Sequence, residues 1–280
     1  MIHLLEGDAF EILSSFEDNC IQCCVTSPPY WGLRTYGHFG EIGNEEDLFD
    51  YLAKLQRVCA QIFRVLREDG SFWLNLGDTY VAKDQGTLRK GSLTGVPWGM
   101  AFRLMRNGWI LRRDIIWQKP NAMPENVKNR CTTAHEYIFH FTKSTKYNYD
   151  AVAIRERSLG LGATKIRFGG NKYGDSDDPH FATKSGKEYV DTGFRNKRSI
   201  WTMPTAGHRG SHTAPFPLDL PLTCLKATGA PGPVLDPFLG SGTTALAAHA
   251  LHLDCIGIDL DLTEARKELD GATLKETKCP

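Results

Sequence analysis

The chain of 280 residues has no excess charge of either sign: 33 Lys and Arg stand against 33 Asp and Glu. That excludes a protein whose whole surface holds a polyanion, so any nucleic-acid contact has to come from a local basic patch. Also missing is an apolar run near the roughly 20 residues a bilayer span requires, and no membrane partner is expected. The opening "MIHLLEGDAFEILSSFEDN" carries acidic residues early and no small-residue cleavage site, which predicts no export signal and a cytoplasmic location. Eight cysteines are scattered along the chain rather than spaced as a disulfide framework. Cys20 and Cys23 form a C-x-x-C, but no second Cys or His pair has the spacing to close a zinc site. The expectation is therefore no metal, with both thiols in or near the core.

What is present is an alternation of strands and helices. "IHLLEGD", "AFEILSSFED" and "IQCCVTS" read as strand, helix, strand. In "NEEDLFDYLAKLQRVCAQIFRVLREDG", Leu48, Tyr51, Leu52, Leu55, Val58, Ile62, Val65 and Leu66 recur at helical spacing, and Gly70 suits the residue just beyond a helix end. A strand "SFWLNLGD", a helix in "WGMAFRLMRNG" and two strands, "ILRRDIIWQK" and "HEYIFHFTKS", follow. Strands alternating with helices predict an α/β fold with a mostly parallel, doubly wound sheet. From Ser158 to about Arg198 the periodicity fails, which predicts a loop-dominated insert. Over residues 151–212, eleven basic residues against six acidic ones leave +5, the local basic patch the neutral whole requires. The stretch "HTAPFPLDLPLTCLKATGA" reads as a proline-started helix, and the tail after Asp259 as one helix and a polar end.

The most legible tract is "GPVLDPFLGSGTTALAAHALHLDCIGIDLD": strand, glycine turn, Ala-rich helix, strand, terminal acid. Gly240, Gly242 and Ala245 fit G-x-G-x-x-G/A, and Asp259 stands where a ribose diol is bound. In a dinucleotide fingerprint the first glycine follows the strand directly, whereas here "DPFLG" intervenes and leaves Asp236 at the strand tip. A P-loop is ruled out because the turn has no lysine. A nucleoside without phosphates fits better. S-adenosylmethionine is such a ligand: its amino group suits Asp236, and its carboxylate suits a helix N-terminus.

"TSPPY" near the start, "DPFLGSGTT" near the end, and "HEYIFHFTKS" and "HTAPFP" between them resemble the permuted, beta-class DNA amino-methyltransferases, in which the catalytic motif precedes the cofactor motif. The resemblance spans nearly the whole chain apart from the insert. It implies a Rossmann-like S-adenosylmethionine-dependent methyltransferase core over 1–150 and 201–280, with the catalytic half first, and a target-recognition insert over 151–200. It further implies methylation of the exocyclic amino group of a base flipped out of double-stranded DNA. Ser before P-P-Y is more usual in N4-cytosine enzymes, and Asp or Asn in N6-adenine enzymes, so N4 of cytosine is favoured and N6 of adenine comes second. Glutamine-methylating relatives carry Asn at that place. A catalytically inactive DNA-binding relative is a remote third reading.

Chemistry assigns the parts. An exocyclic amine is a poor nucleophile because its lone pair is delocalised into the ring. Accepting hydrogen bonds from its N–H groups makes it more tetrahedral, a task for the Ser27 oxygen and the Pro28 carbonyl, with Pro28 and Pro29 fixing the backbone. Tyr30 would stack on the flipped base. For the cofactor the candidates are Asp8, Thr26, Asp236, Phe238, Gly240, Ser241, Gly242, Thr243, Thr244 and Asp259. For Asp8 a helix N-cap is the second reading, and Asp78 is readable as either pocket or turn. Trp31 and Leu33 remain open between base neighbourhood and core. DNA contacts are assigned to Arg34, Arg195, Lys197, Arg198, His208 and Arg209. The resemblance also brings a cognate restriction endonuclease as partner, a monomer or weak homodimer, and a bacterial or phage-host cytoplasm.

Overall fold

The computed structural model describes residues 1–33, 37, 40–158, 166–167, 188–189, 193–205, 216–270 and 274–276. Of the candidate residues, Arg34, His208 and Arg209 lie outside these, as do residues 212–215 of "HTAPFP". The chain divides into two compact units, Met1–Asp150 with Arg198–Pro280, and Ala151–Lys197.

In the larger unit, β1 (Ile2–Glu6), α1 (Ala9–Ser14) and β2 (Ile21–Thr26) form the opening β-α-β pattern. The long helix α2 (Leu48–Val65) buries Leu48, Tyr51, Leu52, Leu55, Val58, Ile62 and Val65 along one side. Without a loop it passes into β3 (Leu66–Leu76), Leu66 already having an extended ψ of 139°. Gly70 therefore does not close the helix, contrary to the sequence expectation. It lies inside β3, where an added Cβ would sit 2.7 Å from the Gln22 carbonyl oxygen, next to a register shift between β2 and β3. The glycine signal there comes from close backbone approach and not from a helix cap.

The chain continues through α3 (Val96–Arg106), β4 (Ile110–Gln118), β5 (His135–Thr142) and β10 (Ile200–Thr202). Helix α4 (Asp219–Thr228) has Pro221 in its first turn and ends on Gly229 in the left-handed region. Next come β11 (Val234–Asp236), α5 (Thr243–Ala250), β12 (Cys255–Asp259), α6 (Thr263–Glu268) and β13 (Leu274–Glu276). The last strand is absent from the sequence expectation, which gave the tail one helix and a polar end; it pairs with β1.

Among the described residues these strands form one sheet in the order β10-β4-β5-β3-β2-β11-β12-β1-β13. Only the pairings made by β5 are antiparallel. Alternation along the strands sends side chains to opposite faces. Cys24 and Phe72 point into the core beneath α1, α2 and α3, while Cys23 and Trp73 reach Thr228 of α4 on the other side. The sheet is thus covered on both faces, the α/β Rossmann-like arrangement. Parallel strands align their C-terminal tips, so the ends of β1, β2, β3, β4, β11 and β12 share one edge with the start of the reversed β5.

Among its described residues the smaller unit contains two short antiparallel pairs, β6 (Glu156–Arg157) with β9 (Phe194–Arg195) and β7 (Ile166–Arg167) with β8 (Glu188–Tyr189). Its Arg155 guanidinium lies 3.9 Å from the centre of the Phe194 ring, and Arg195 Nε donates to Glu156 at 2.8 Å.

Candidate active site

β2 is buried along its whole length until it reaches the prolines, so Ser27, Pro28, Pro29 and Tyr30 leave the sheet at its C-terminal edge. Tyr51 of α2 donates to the Pro29 carbonyl at 2.9 Å and holds this segment from below. Tyr30 turns back over Gly77, where an added Cβ would lie 2.7 Å from the tyrosine ring. A glycine there is what admits the ring.

The Tyr30 hydroxyl ends in a polar cluster that none of the sequence candidates anticipates. It donates to Glu136 Oε2 at 2.6 Å and accepts from Ser27 Oγ at 3.2 Å. Asn75 Oδ1 lies farther away, at 3.3 Å. Asn75 Nδ2 donates to the same Glu136 oxygen at 3.0 Å and to the Tyr137 carbonyl at 3.1 Å. Lys119 is paired with Glu136 Oε1 and sits 4.5 Å from the centre of the Trp117 ring. Burial, then the Glu136 charge, push the Tyr30 phenol well above its usual range, so its proton stays in place. Asn75, Lys119 and Glu136 come from β3, the end of β4 and the start of β5, three strand ends at one edge. A signal for Asn75 existed in the sequence: a polar residue inside "WLNLGD", where an unpartnered amide would be costly.

On the neighbouring strand β11, Asp236 is only 1% exposed. Its Oδ1 accepts from Thr26 Oγ1 at 2.6 Å and from the Phe238 N–H at 3.1 Å. The Thr26 bond joins the two motifs across 210 residues of sequence. Burial raises the Asp236 carboxyl to about 6, partly offset by hydrogen bonds from Thr244, Thr26 and Phe238. Asp236 and Thr26 thus lock the strand tips together. Thr244 is fully buried, its hydroxyl 3.4 Å from the Val25 carbonyl, whereas Thr243, at the first turn of α5, is partly exposed.

The glycine turn is tied to β12. Asp259 Oδ2 accepts from the Gly240 N–H at 2.7 Å, and Leu239 N–H donates to the Ile258 carbonyl at 2.9 Å. Gly240 has φ +55° with open space where a Cβ would stand, so backbone conformation rather than crowding requires glycine. Gly242, at φ +88°, backs onto Leu269, and Ser241 is buried between the two. Asp259 is partly exposed, and its other oxygen accepts from the Asp261 N–H at 3.3 Å. Burial raises this carboxyl too, opposed by the Gly240, Asp261 and Leu260 N–H groups.

The donor set fits a nucleoside carrying an amino-acid tail. The partly exposed Asp259 can accept from a diol, the start of α5 can offer N–H groups to a carboxylate, and the partly buried Phe238 can form an apolar wall. No basic side chain stands in the turn to meet a pyrophosphate.

Other candidates make local contacts. Asp8 caps α1 by accepting from the Glu11 N–H at 3.0 Å. Asp78 organises a turn, accepting from Thr79 N–H at 2.9 Å, Gly95 N–H at 3.0 Å and the Thr94 hydroxyl. Trp31 donates from its indole to the Glu45 carbonyl at 2.9 Å, while Leu33 is exposed. Lys197 closes the smaller unit, and Arg198 accepts from the Trp201 indole through its backbone carbonyl.

Known proteins share this architecture. The model of the N6_N4_Mtase family, described as DNA methylase, matches residues 21–267. The Type II methyltransferase M.SmaI of Serratia marcescens is 38% identical over 280 aligned residues, covering 92% of this chain and 86% of that protein. M.Cfr9I of Citrobacter freundii, also a Type II methyltransferase, is 38% identical over 92% of this chain and 83% of its own. Among solved structures, PvuII DNA methyltransferase (cytosine-N4-specific) superposes with a TM-score of 0.70 at 19% identity, covering 96% of this chain and 86% of the other. A DNA modification methylase homologue from Thermus thermophilus, TTHA0409, complexed with S-adenosyl-L-methionine, gives 0.64 at 25% identity, covering 99% and 100%.

Proposed function

This chain belongs to the DNA methylase family of amino-group methyltransferases, and on that premise we propose that it methylates N4 of cytosine in double-stranded DNA, using S-adenosylmethionine. The observation that carries the reading is the Thr26–Asp236 bond, which sets the Ser27–Tyr30 segment beside the glycine turn at one sheet edge. Ser27 and the fold shared with a cytosine-N4-specific enzyme support the choice of base. When bound, S-adenosylmethionine supplies an electrophilic methyl group on a sulfonium.

The chain's own residues would do the rest. Gly240, Gly242 and Thr243 border the cofactor's amino-acid tail, Asp259 accepts from its ribose, and Phe238 packs along it. Asp8 stands beyond the first strand, and Ser241, Thr244, Thr26 and Asp236 hold the turn in shape. Ser27 Oγ and the Pro28 carbonyl accept from the amine of the flipped base, and the Tyr30 ring takes up its stacking. The smaller unit, with Arg195, Lys197 and the adjoining Arg198, is assigned to target recognition; Arg34, His208 and Arg209 belong to the same proposal. The relatives are Type II methyltransferases, which supports a cognate restriction endonuclease as partner and a bacterial or phage-host cytoplasm as the setting.

The test is to incubate the chain with labelled S-adenosylmethionine and mixed-sequence duplex DNA, digest to nucleosides and identify the product by mass. N4-methylcytosine is the expected product. N6-methyladenine in its place would move the assignment to adenine, and no transfer to any duplex would overturn the reading.

A further inference from the structure

A serine hydroxyl is ambiguous where the chemistry needs an acceptor. It carries one proton and two lone pairs, and its rotor can present either to a ligand. Presenting the proton to an exocyclic amine would oppose the hydrogen bond that the amine must donate. A carboxylate has no such ambiguity, so a serine at position 27 needs something to turn its proton away.

The cluster at the edge of β3, β4 and β5 supplies it. Ser27 Oγ lies 3.2 Å from the Tyr30 hydroxyl, and that hydroxyl lies 2.6 Å from Glu136 Oε2. Tyr30 has one proton, and its nearest acceptor is the charged Glu136, with Asn75 Oδ1 at 3.3 Å. Glu136 carries no proton of its own to offer: Lys119 pairs with its other oxygen, and Asn75 Nδ2 donates to the oxygen shared with Tyr30. With its proton committed to Glu136, the Tyr30 oxygen can only accept from Ser27. We propose that the Lys119–Glu136 pair is a positioning device, which polarises the chain Ser27 → Tyr30 → Glu136 in one direction and thereby fixes the Ser27 oxygen as a hydrogen-bond acceptor toward the amine of the target base.

The inference rests on the methyltransferase reading and adds to it a function for three residues outside both motifs. It gives Tyr30 two separable tasks, a ring for stacking and a hydroxyl for orientation. It also explains how serine does the work of an acidic residue here without bringing a second charge beside Glu136.

The test is a pair of coupled substitutions read in single-turnover methyl transfer, with S-adenosylmethionine affinity measured separately. Glu136→Gln can donate to Tyr30 and so lets the chain reverse; it is expected to lower the transfer rate about 10-fold, the worth of one hydrogen bond, with cofactor affinity unchanged. Tyr30→Phe keeps the ring and breaks the chain, and is expected to cost a similar factor. In a Ser27→Asp background, where the acceptor is built in, Glu136→Gln is expected to cost no more than about 2-fold, whatever rate that background starts from. Ser27→Ala serves as the second background if Ser27→Asp fails to fold, because with no proton to direct Glu136→Gln is again expected to cost no more than about 2-fold. An equal cost of Glu136→Gln in the serine and the substituted backgrounds would overturn the inference and leave the methyltransferase reading intact. Absence of transfer by the unsubstituted chain, with cofactor still bound, would overturn both.

Discussion

Tyr30 and Asp259 stand on opposite sides of the divided site, and their substitutions separate the two halves. Tyr30→Ala removes the ring proposed to replace base stacking, so methyl transfer is expected to fall by about two orders of magnitude, with cofactor affinity within about 2-fold. Asp259→Ala removes the proposed diol acceptor and the anchor of the Gly240 N–H, so cofactor affinity is expected to drop about 10-fold or more. Its saturated transfer rate is expected to fall far less; titration calorimetry and single-turnover kinetics check both, and equal losses on both readouts would refute the division. At this scale the motif residues were legible because each has a chemical reason to stand at a strand tip. Glu136 and Lys119 were not, since their meaning lies in Tyr30, 106 residues from Glu136 in sequence. Asp8 and Thr244 also make local contacts, at a helix N-terminus and beside a strand carbonyl.

Among the elements, α2 carries the largest single share of the core beneath β3, and its first turn is fixed by one side chain. Asp47 accepts from the N–H groups of Phe49 at 2.7 Å and Asp50 at 3.3 Å. Asp47→Ala is expected to cost about 1 kcal/mol of stability, measured by urea unfolding, because these two donors lose their partner. A loss below a few tenths would show that water replaces the cap. The apolar spacing made the body of α2 plain in the sequence, yet its end was misplaced. No helix-stopping residue marks Leu66; the chain turns there because Leu66 to Leu76 is taken up by pairing with β2 and β5, which local composition does not encode. For β13 the same holds, since a short polar strand forms only because β1 offers it an edge.

For the molecule as a whole, two buried groups make stability respond to acid in opposite senses. His140 lies flat on Trp73 at 3.8 Å, 2% exposed, and burial, with a smaller push from Arg112, lowers it to about 3. Between its ordinary value and 3 the unfolded chain binds the extra proton, so stability falls as pH drops through that window. Asp236 is raised to about 6 by burial, so between its ordinary value and 6 the folded chain binds the proton, and stability rises as pH drops. From pH 6 to 4 the two slopes, each at most about 1.4 kcal/mol per pH unit, oppose one another. Asp236→Asn keeps an oxygen for Thr26 and Phe238 and removes the titration. It is expected to steepen the loss of stability from pH 6 to 4, measured by urea midpoints across pH; an unchanged slope would refute the assignment. The order of strands carries a further consequence, for synthesis. On the larger unit's sheet β1 lies between β12 and β13, and one side of β2 is filled by β11, all of them from the last 50 residues of the chain. While the chain emerges from the ribosome, β1 has no sheet neighbour and β2 has an open edge, surfaces that invite wrong pairing until residues 234–259 arrive. The segment carrying Ser27–Tyr30 is therefore made early, while the strands that flank β1 and fill one side of β2 are supplied only by residues 234–276.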